Sequence, residues 1–314
     1  MRITNSMMVN NMIANISKNQ ERMDRLQNQM ATGKKIALPS DDPVVAARAL
    51  KLRTDVAEIT QYQKNVEDGT SWLNITETAL GNIGDVLKRA NELSVQAANG
   101  TMSAEDMAAS GKEITQLREQ LIELANSSYA GRYIFSGYKT DQKLIDPTTG
   151  KYNISVSNAE NINYEIGVGN EINVNVLGND LFSNGAPSVI GENPPPTPPA
   201  TAATPAMIDV MDQLSTAFNS NDHATVSSLI SNLQGQLDNV LRIRADVGAR
   251  TNRLDLTANR LDTDNYNFTD LMSKNEDVDM AETIMNLTNE QNVYKASLSA
   301  GAKIIQPSLV DFLR

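Results

Sequence analysis

Residues 35–52 read "KIALPSDDPVVAARALKL", a short polar break between two helix-like runs. Asp42 has the side chain of an N-cap, whose carboxylate accepts an N–H of the first turn, and Pro43 suits the next position, where no N–H is needed. Asp41 and Asp42 also fall at the positive end of the coming helix dipole. The break therefore stops one long helix in order to start a longer one, which implies that the two have different partners.

Upstream of the break, Met12, Ile16, Asn19, Met23, Leu26 and Met30 recur in alternating steps of about four and three, a heptad stripe that calls for a facing helix. Gly33 fits a C′ residue, with Lys34 and Lys35 at the negative helix end. Downstream, Leu52, Val56, Ile59, Val66, Leu73, Leu80 and Leu87 carry a second run to Asn99-Gly100. At ~1.5 Å per residue, a helix from Pro43 to Ala98 is on the order of 80 Å long, a rod rather than a globular-domain helix. "SAED" (103–106) fits a capping box and opens a third helix through Leu117, Leu121 and Leu124.

From Tyr133 the apolar period shortens. "RYIFSGYKT", "DPTTGKYNISVS", "INYEIGVG" and "INVNVLG" alternate apolar residues between turn signals, which predicts short strands and hairpins. The tract "GAPSVIGENPPPTPPATAATPA" sustains neither helix nor sheet and reads as a linker; a PxxP ligand reading lacks flanking Arg or Lys. Helix is expected again from Ala206. From His223 the seam Val226, Ile230, Leu233, Leu237, Val240, Val247, Leu254, Leu261, Phe268 and Met272 is the most regular in the chain. "SKNEDVDMAE" offers Ser273 and Glu276 in capping-box spacing, and the last run carries Ile284, Thr288, Gln291, Leu298, Ala302 and Ile305 before Pro307 and "SLVDFLR".

The expected fold is mainly α with an inserted β region: a long coiled-coil-like helical rod built from N- and C-terminal parts of the chain, and a small central β domain. Residues 1–40 and 275–314 are terminal helical arms, 41–137 and 206–274 the rod, 138–185 the β insertion and 186–205 the Pro-rich linker. The arms differ in charge. Lys18, Arg22, Arg25, Lys34 and Lys35 make the first basic; Glu276, Asp277, Asp279, Glu282 and Glu290 make the second acidic, which favours their pairing. Candidate assembly residues are Met12, Ile16, Met23, Leu26, Met30, Ile284, Leu298, Ile305, Leu309, Phe312 and Leu313, with Asp42 and Pro43 capping a hinge. Because Asn19, Thr288, Gln291 and Lys295 interrupt the arm seams, the arms are expected to be largely disordered in a lone subunit.

Chemistry is harder to find. The chain has no Cys and one His among 314 residues, so disulfides and thiolate or multi-histidine metal sites are excluded. His223, in "NSNDHATV", reads as a helix-start residue without catalytic partners. The Gly pairs in "GNIGD" and "GVGNE" lack the strand–turn–helix setting of a phosphate loop, and Asp277 with Asp279 lacks the Gly and Glu of a calcium loop. The Met-rich start reads as a packed helix seam, with a promiscuous binding face as the alternative. The net charge of −11 argues against nucleic-acid or anionic-membrane partners. No span of membrane length and no secretory apolar core is seen, so composition alone suggests the cytoplasm. No catalytic residue and no cofactor are expected.

The N-terminal "RITNSMMVNNMIANISKNQERMDRLQNQMATGKKI", the "SDDPVVAARALKLR" break, "WLNITETAL", "ELSVQAANGTMS", "GRYIFSGYKT", "DVGARTNRLD" and the long C-terminal stretch from "DVDMAETIMN" resemble the flagellin superfamily. Within it, "SDDPVVAARAL" and "GRYIFSG", with the ending "IIQPSLVDFL", are similar to the hook–filament junction branch. The resemblance covers roughly residues 1–140 and 205–314. It implies a non-enzymatic structural subunit, exported through the flagellar type III apparatus and placed in the extracellular flagellum, which displaces the cytoplasmic reading. The implied partners are the other hook-associated protein of the junction, flagellin, further copies of itself, and an export chaperone at the C-terminal helix. A filament flagellin, or a coiled-coil scaffold unrelated to flagella, are the alternatives.

Overall fold

The computed structural model describes residues 5–36, 38–157, 159–183 and 204–311, with side chains described up to Ala302. Seven helices and two small ribbons are described, in a mainly α chain with an inserted β region: α1 (Asn5–Thr32), α2 (Pro43–Ala98), α3 (Ala104–Ala125), β1 (Ser128–Tyr129), β2 (Arg132–Tyr133), β3 (Asn163–Gly167), β4 (Asn170–Asn173), α4 (Gly178–Ser183), α5 (Ala206–Asn219), α6 (His223–Glu276) and α7 (Met280–Asp311). The chain divides into two compact units, one of residues 60–262 and one of residues 1–59 with 263–314.

In the 60–262 unit the heptad pattern is the packing pattern. Val66, Leu73, Leu80 and Leu87 of α2 are buried at intervals of seven, as are Val226, Leu233, Val240, Val247, Leu254 and Leu261 of α6. The two helices run antiparallel: Gln63 donates to Asp262 at 2.7 Å, Arg244 to Glu77 at 2.9 Å, and His223 Nδ1 to the Ala97 carbonyl at 2.8 Å. Ser103 and Asp106 form the capping box that starts α3. α3 packs on α5, where Gly111 lies against Phe218 and Thr115 shares a hydrogen bond of 3.0 Å with Ser215.

The insertion has less sheet than its alternation predicts. β1–β2 and β3–β4 are separate antiparallel ribbons, and "DPTTGKYNISVS" is turn, bend and irregular chain, with a single bridge between Ile145 and Tyr152. Its alternating apolar residues are still inward: Ile145, Tyr152, Ile154 and Val156 are buried. Burial in this segment is thus achieved by turns anchored through side chains, such as Asp146 accepting from Thr148 and Thr149, without an extended ladder. α6 fixes the insertion from its polar side, since Arg250 donates to the carbonyls of Asn173 and Asn175 at 3.3 and 3.1 Å. Of the Pro-rich tract expected at 186–205, residues 186–203 lie outside the described residues.

The unit of residues 1–59 and 263–314 is built differently. Among its described residues only Ala49, Ile59 and Leu287 are buried hydrophobics. Its exposed large hydrophobics include Met7, Met8, Ile13, Leu38, Val44, Leu50, Leu271, Met280, Ile284, Met285, Val293 and Leu298. The described core sits in residues 60–262, and most of the exposed large hydrophobics described sit in the other unit.

Candidate assembly surface

α1 and α7 pair antiparallel, and the register can be followed contact by contact. Met12 lies against Gly301, Arg22 against Glu290, and Lys34 beside Asp277. The heptad stripe of α1 faces α7: Met12, Ile16, Met23 and Leu26 are half-buried and Asn19 is 2% exposed. Met30 departs from that stripe. It is exposed, and Gln29 takes the inward place, donating to the Lys35 carbonyl at 2.7 Å, because a helix of 3.6 residues per turn drifts off a strict heptad.

The partner stripe on α7 is not the apolar one. Thr283, Leu287, Glu290, Tyr294, Ser297 and Gly301 face α1, again in steps of four and three. Ile284 and Leu298 stand one position away, on the outward side, exposed by 49% and 46%. The physical reason is the α1 seam itself. Asn19 and Arg22 require polar partners, so α7 turns Glu290 inward and leaves its better hydrophobic stripe uncovered. The Asn19 amide donates to the Glu290 carboxylate and accepts the Tyr294 N–H at 3.1 Å. Arg22 forks onto the same carboxylate at 2.9 and 3.2 Å, and that hydrogen bond raises the Arg22 guanidinium above its ordinary value. Gly301 has no room for a Cβ beside Met12, which lets the two backbones approach. Ile305 and Leu309 lie within α7 with side chains outside the described residues, and Phe312 and Leu313 lie outside them altogether.

Both chain breaks occur at one level of this unit, and each helix is ended by its own neighbours. Gly33 closes α1 with φ +70°, its N–H on the Gln29 carbonyl at 2.8 Å. Asp42 accepts the N–H groups of Val44 and Val45 at 3.0 and 3.1 Å, α2 begins at Pro43, and Asp41 accepts the Leu38 N–H at 2.9 Å. On the other side α6 runs on to Glu276, so Ser273 and Glu276 belong to its last turn and do not start a helix as a capping box. Asp279 does the capping, accepting from Ala281 and Glu282 at 2.8 and 3.2 Å.

The breaks are joined by Lys35 N–H to the Glu276 carbonyl at 2.8 Å and Val278 N–H to the Gly33 carbonyl at 3.0 Å. The Glu276 carboxylate, 4% exposed, pairs with Arg53 of α2 and stands 3.7 Å from Lys34. Lys34 also bonds Asp277 at 2.6 Å; that bond, helped by one from Ser273, holds Asp277 below the ordinary carboxylate value. Sequence reasoning named Glu276 as an acidic arm residue and a cap but missed its pairing with Arg53, because no local pattern links residues so far apart. It missed the inward stripe of α7 because the spacing was there and the hydrophobicity was not. Among the described residues there is no cluster that could hold a metal ion, and no helix long and apolar enough to cross a membrane. The arrangement offers surfaces for packing helices.

Comparison with known proteins agrees with that character. Residues 3–140 match the bacterial flagellin N-terminal helical region, and residues 230–313 the bacterial flagellin C-terminal helical region. Flagellar hook-associated protein 3 of Escherichia coli strain K12 is 30% identical over 312 residues, covering 96% of this chain and 96% of that one. The flagellin of Bacillus subtilis strain 168 is 27% identical over 303 residues, covering 95% and 94%. A solved structure described as a putative flagellar hook-associated protein from Vibrio parahaemolyticus superposes with a TM-score of 0.63 at 21% identity, covering 76% of this chain and 100% of the other. Matched at both ends and aligned along nearly its whole length, the chain belongs to the bacterial flagellin family of structural flagellar proteins, similar within it to hook-associated protein 3.

Proposed function

We propose that this chain is the junction subunit that joins the flagellar hook to the filament, exported by the flagellar type III system and assembling through α1 and α7. The observation that carries the reading is the division of apolar surface. The 60–262 unit has a closed core of its own, whereas the terminal unit leaves Ile284, Met285, Val293 and Leu298 of α7 and Met7, Met8 and Ile13 of α1 uncovered. Contiguous exposed apolar side chains of this kind mark protein–protein contact surfaces. Residues on two different helices favour head-to-tail contacts, which close into a ring or wind into a helix of copies. The neighbours are then the other hook-associated protein on one side, flagellin on the other, and identical copies around the ring. An export chaperone covering about residues 275–314 fits the same need, since that apolar stripe must be kept from aggregating before assembly. No catalytic group takes part.

Immunogold labelling of flagella tests the placement: label is expected at the base of the filament. Label along the whole filament would establish instead the filament-subunit reading that the likeness to flagellin keeps open. Seeded purified subunits separate the two as well, because a junction protein stays short where a flagellin elongates.

A further inference from the structure

The joint where both chain breaks meet has a construction that packing alone does not require. α1, α2 and α7 each carry their own terminating or starting residue, Gly33, Asp42 and Asp279, so none of these ends depends on the joint to stop or start its helix. What ties the α1–α7 pair to α2 and α6 at this level is a small set of bonds around one carboxylate. Glu276 is buried, yet its cationic partners are open to solvent, the Arg53 side chain by 57% and that of Lys34 by 37%. Lys34 is divided between Glu276 on α6 and Asp277 in the break, the latter bond being the shorter. Two backbone hydrogen bonds, the Lys35 ammonium on the Lys274 carbonyl at 2.7 Å and the Asn275 amide on the Val45 carbonyl at 3.2 Å add to them.

We propose that Arg53, Glu276 and Lys34 form a conformational latch. Closed, it holds the arm pair in one setting on the lone chain. Released, it lets the pair swing at the two breaks, residues 33–36 and 277–279, while the helices on either side stay intact. The inference rests on the junction reading, in which one subunit type must fit its arms to chemically different neighbours above and below. Because a buried carboxylate is the shared anion, removing its charge leaves Lys34 and Arg53 without their common partner, and the open state gains population.

Limited trypsin digestion of the lone purified chain reads that population, since Lys34 and Lys35 lie in the joint and Lys18, Arg22 and Arg25 lie within α1. In Glu276→Gln, initial cleavage after Lys34 and Lys35 is expected to rise about tenfold to a hundredfold, less than for a fully buried pair because both cationic partners are open to solvent. Cleavage within α1 and the melting of the 60–262 unit should not change. Arg53→Gln, which leaves both breaks untouched, should shift the same two sites in the same direction. Unchanged cleavage at the joint overturns the latch. So does an equal rise at Lys18, Arg22 and Arg25, which would mean that α1 melts instead of swinging. The digestion needs no flagellum, so its failure is distinguishable from misplaced immunogold label, which would overturn the junction reading alone.

Discussion

Asn19 is the only fully buried position described in α1, and it is polar. A buried asparagine in a helix seam fixes register at a cost in stability, because only one alignment satisfies its amide. Here that alignment brings Glu290 and Tyr294 opposite it. Asn19→Leu is therefore expected to slow amide exchange in α1 and α7 of the lone chain, yet to lower recovery of motility when it replaces the native protein. Faster exchange would show that the amide contributes net stability and is not a register device. Asp277 gives a second prediction at this scale. Its folded-state pKa lies below the ordinary 3.8 because Lys34 and Ser273 donate to the carboxylate, with Lys35 nearby as a further cation. A depressed carboxylate contributes stability that is complete above the unfolded value and is lost as pH falls through the folded one. The joint should therefore keep this contribution at pH 5 and lose it only as pH falls below the ordinary 3.8. In Asp277→Asn, which lacks this carboxylate, trypsin-independent probes of the joint, such as amide exchange at residues 34–36, should lose that component of the acid dependence.

Among the elements, α6 and the α1–α7 pair share heptad spacing and differ in what the heptads contain. Leu80 of α2 is fully buried in the 60–262 core, so Leu80→Ala should cost ~2–5 kcal/mol in denaturant unfolding of that unit. Leu26 is only half-buried against α7. Leu26→Lys should leave the main unfolding transition within ~0.5 kcal/mol while abolishing assembly, as expected for surface-like positions in the lone chain. A loss of several kcal/mol would show that the arm seam is already part of the core. The same contrast explains what the sequence could reveal. In α2 and α6 the buried positions are Val, Ile and Leu at intervals of seven, so pattern and packing coincide. α7 carries two stripes one position apart, an apolar one and a mixed one with Glu290 and Gly301. Hydropathy selects the first, whereas the demands of Asn19 and Arg22 on the other helix select the second. The helix start at His223 and the capping box at Ser103 were legible because their signals are local. In the insertion, "INYEIGVG" and the start of "INVNVLG" form the expected hairpin, whereas "DPTTGKYNISVS" has one bridge and no strand, since alternation reports burial on two sides and not hydrogen bonding between strands.

Over the whole molecule, apolar residues are divided by fate: most of those described in residues 60–262 are inside already, with Val168, Leu241 and Leu256 among the exceptions, and most of those described in the terminal unit are still in water. The lone chain pairs its arms as helices, where the sequence suggested disorder, but the pairing covers a narrow seam in which Leu287 is the one buried hydrophobic described on α7. A helix pair of that kind draws little from burial, at ~1.5–3 kcal/mol per fully covered side chain, and must offset the ordering of some sixty residues at ~1–2 kcal/mol each with backbone hydrogen bonds as its main support. Its opening free energy should therefore lie well below that of the core. Amide exchange on the purified subunit measures this directly. Residues 226–261 should exchange through global unfolding, while residues 10–30 and 284–302 exchange faster by orders of magnitude and become protected once subunits are assembled in flagella. Equal protection of arms and core in the lone chain would mean that the terminal helices need no neighbours, and the exposed stripes of α1 and α7 would then have to be explained without assembly.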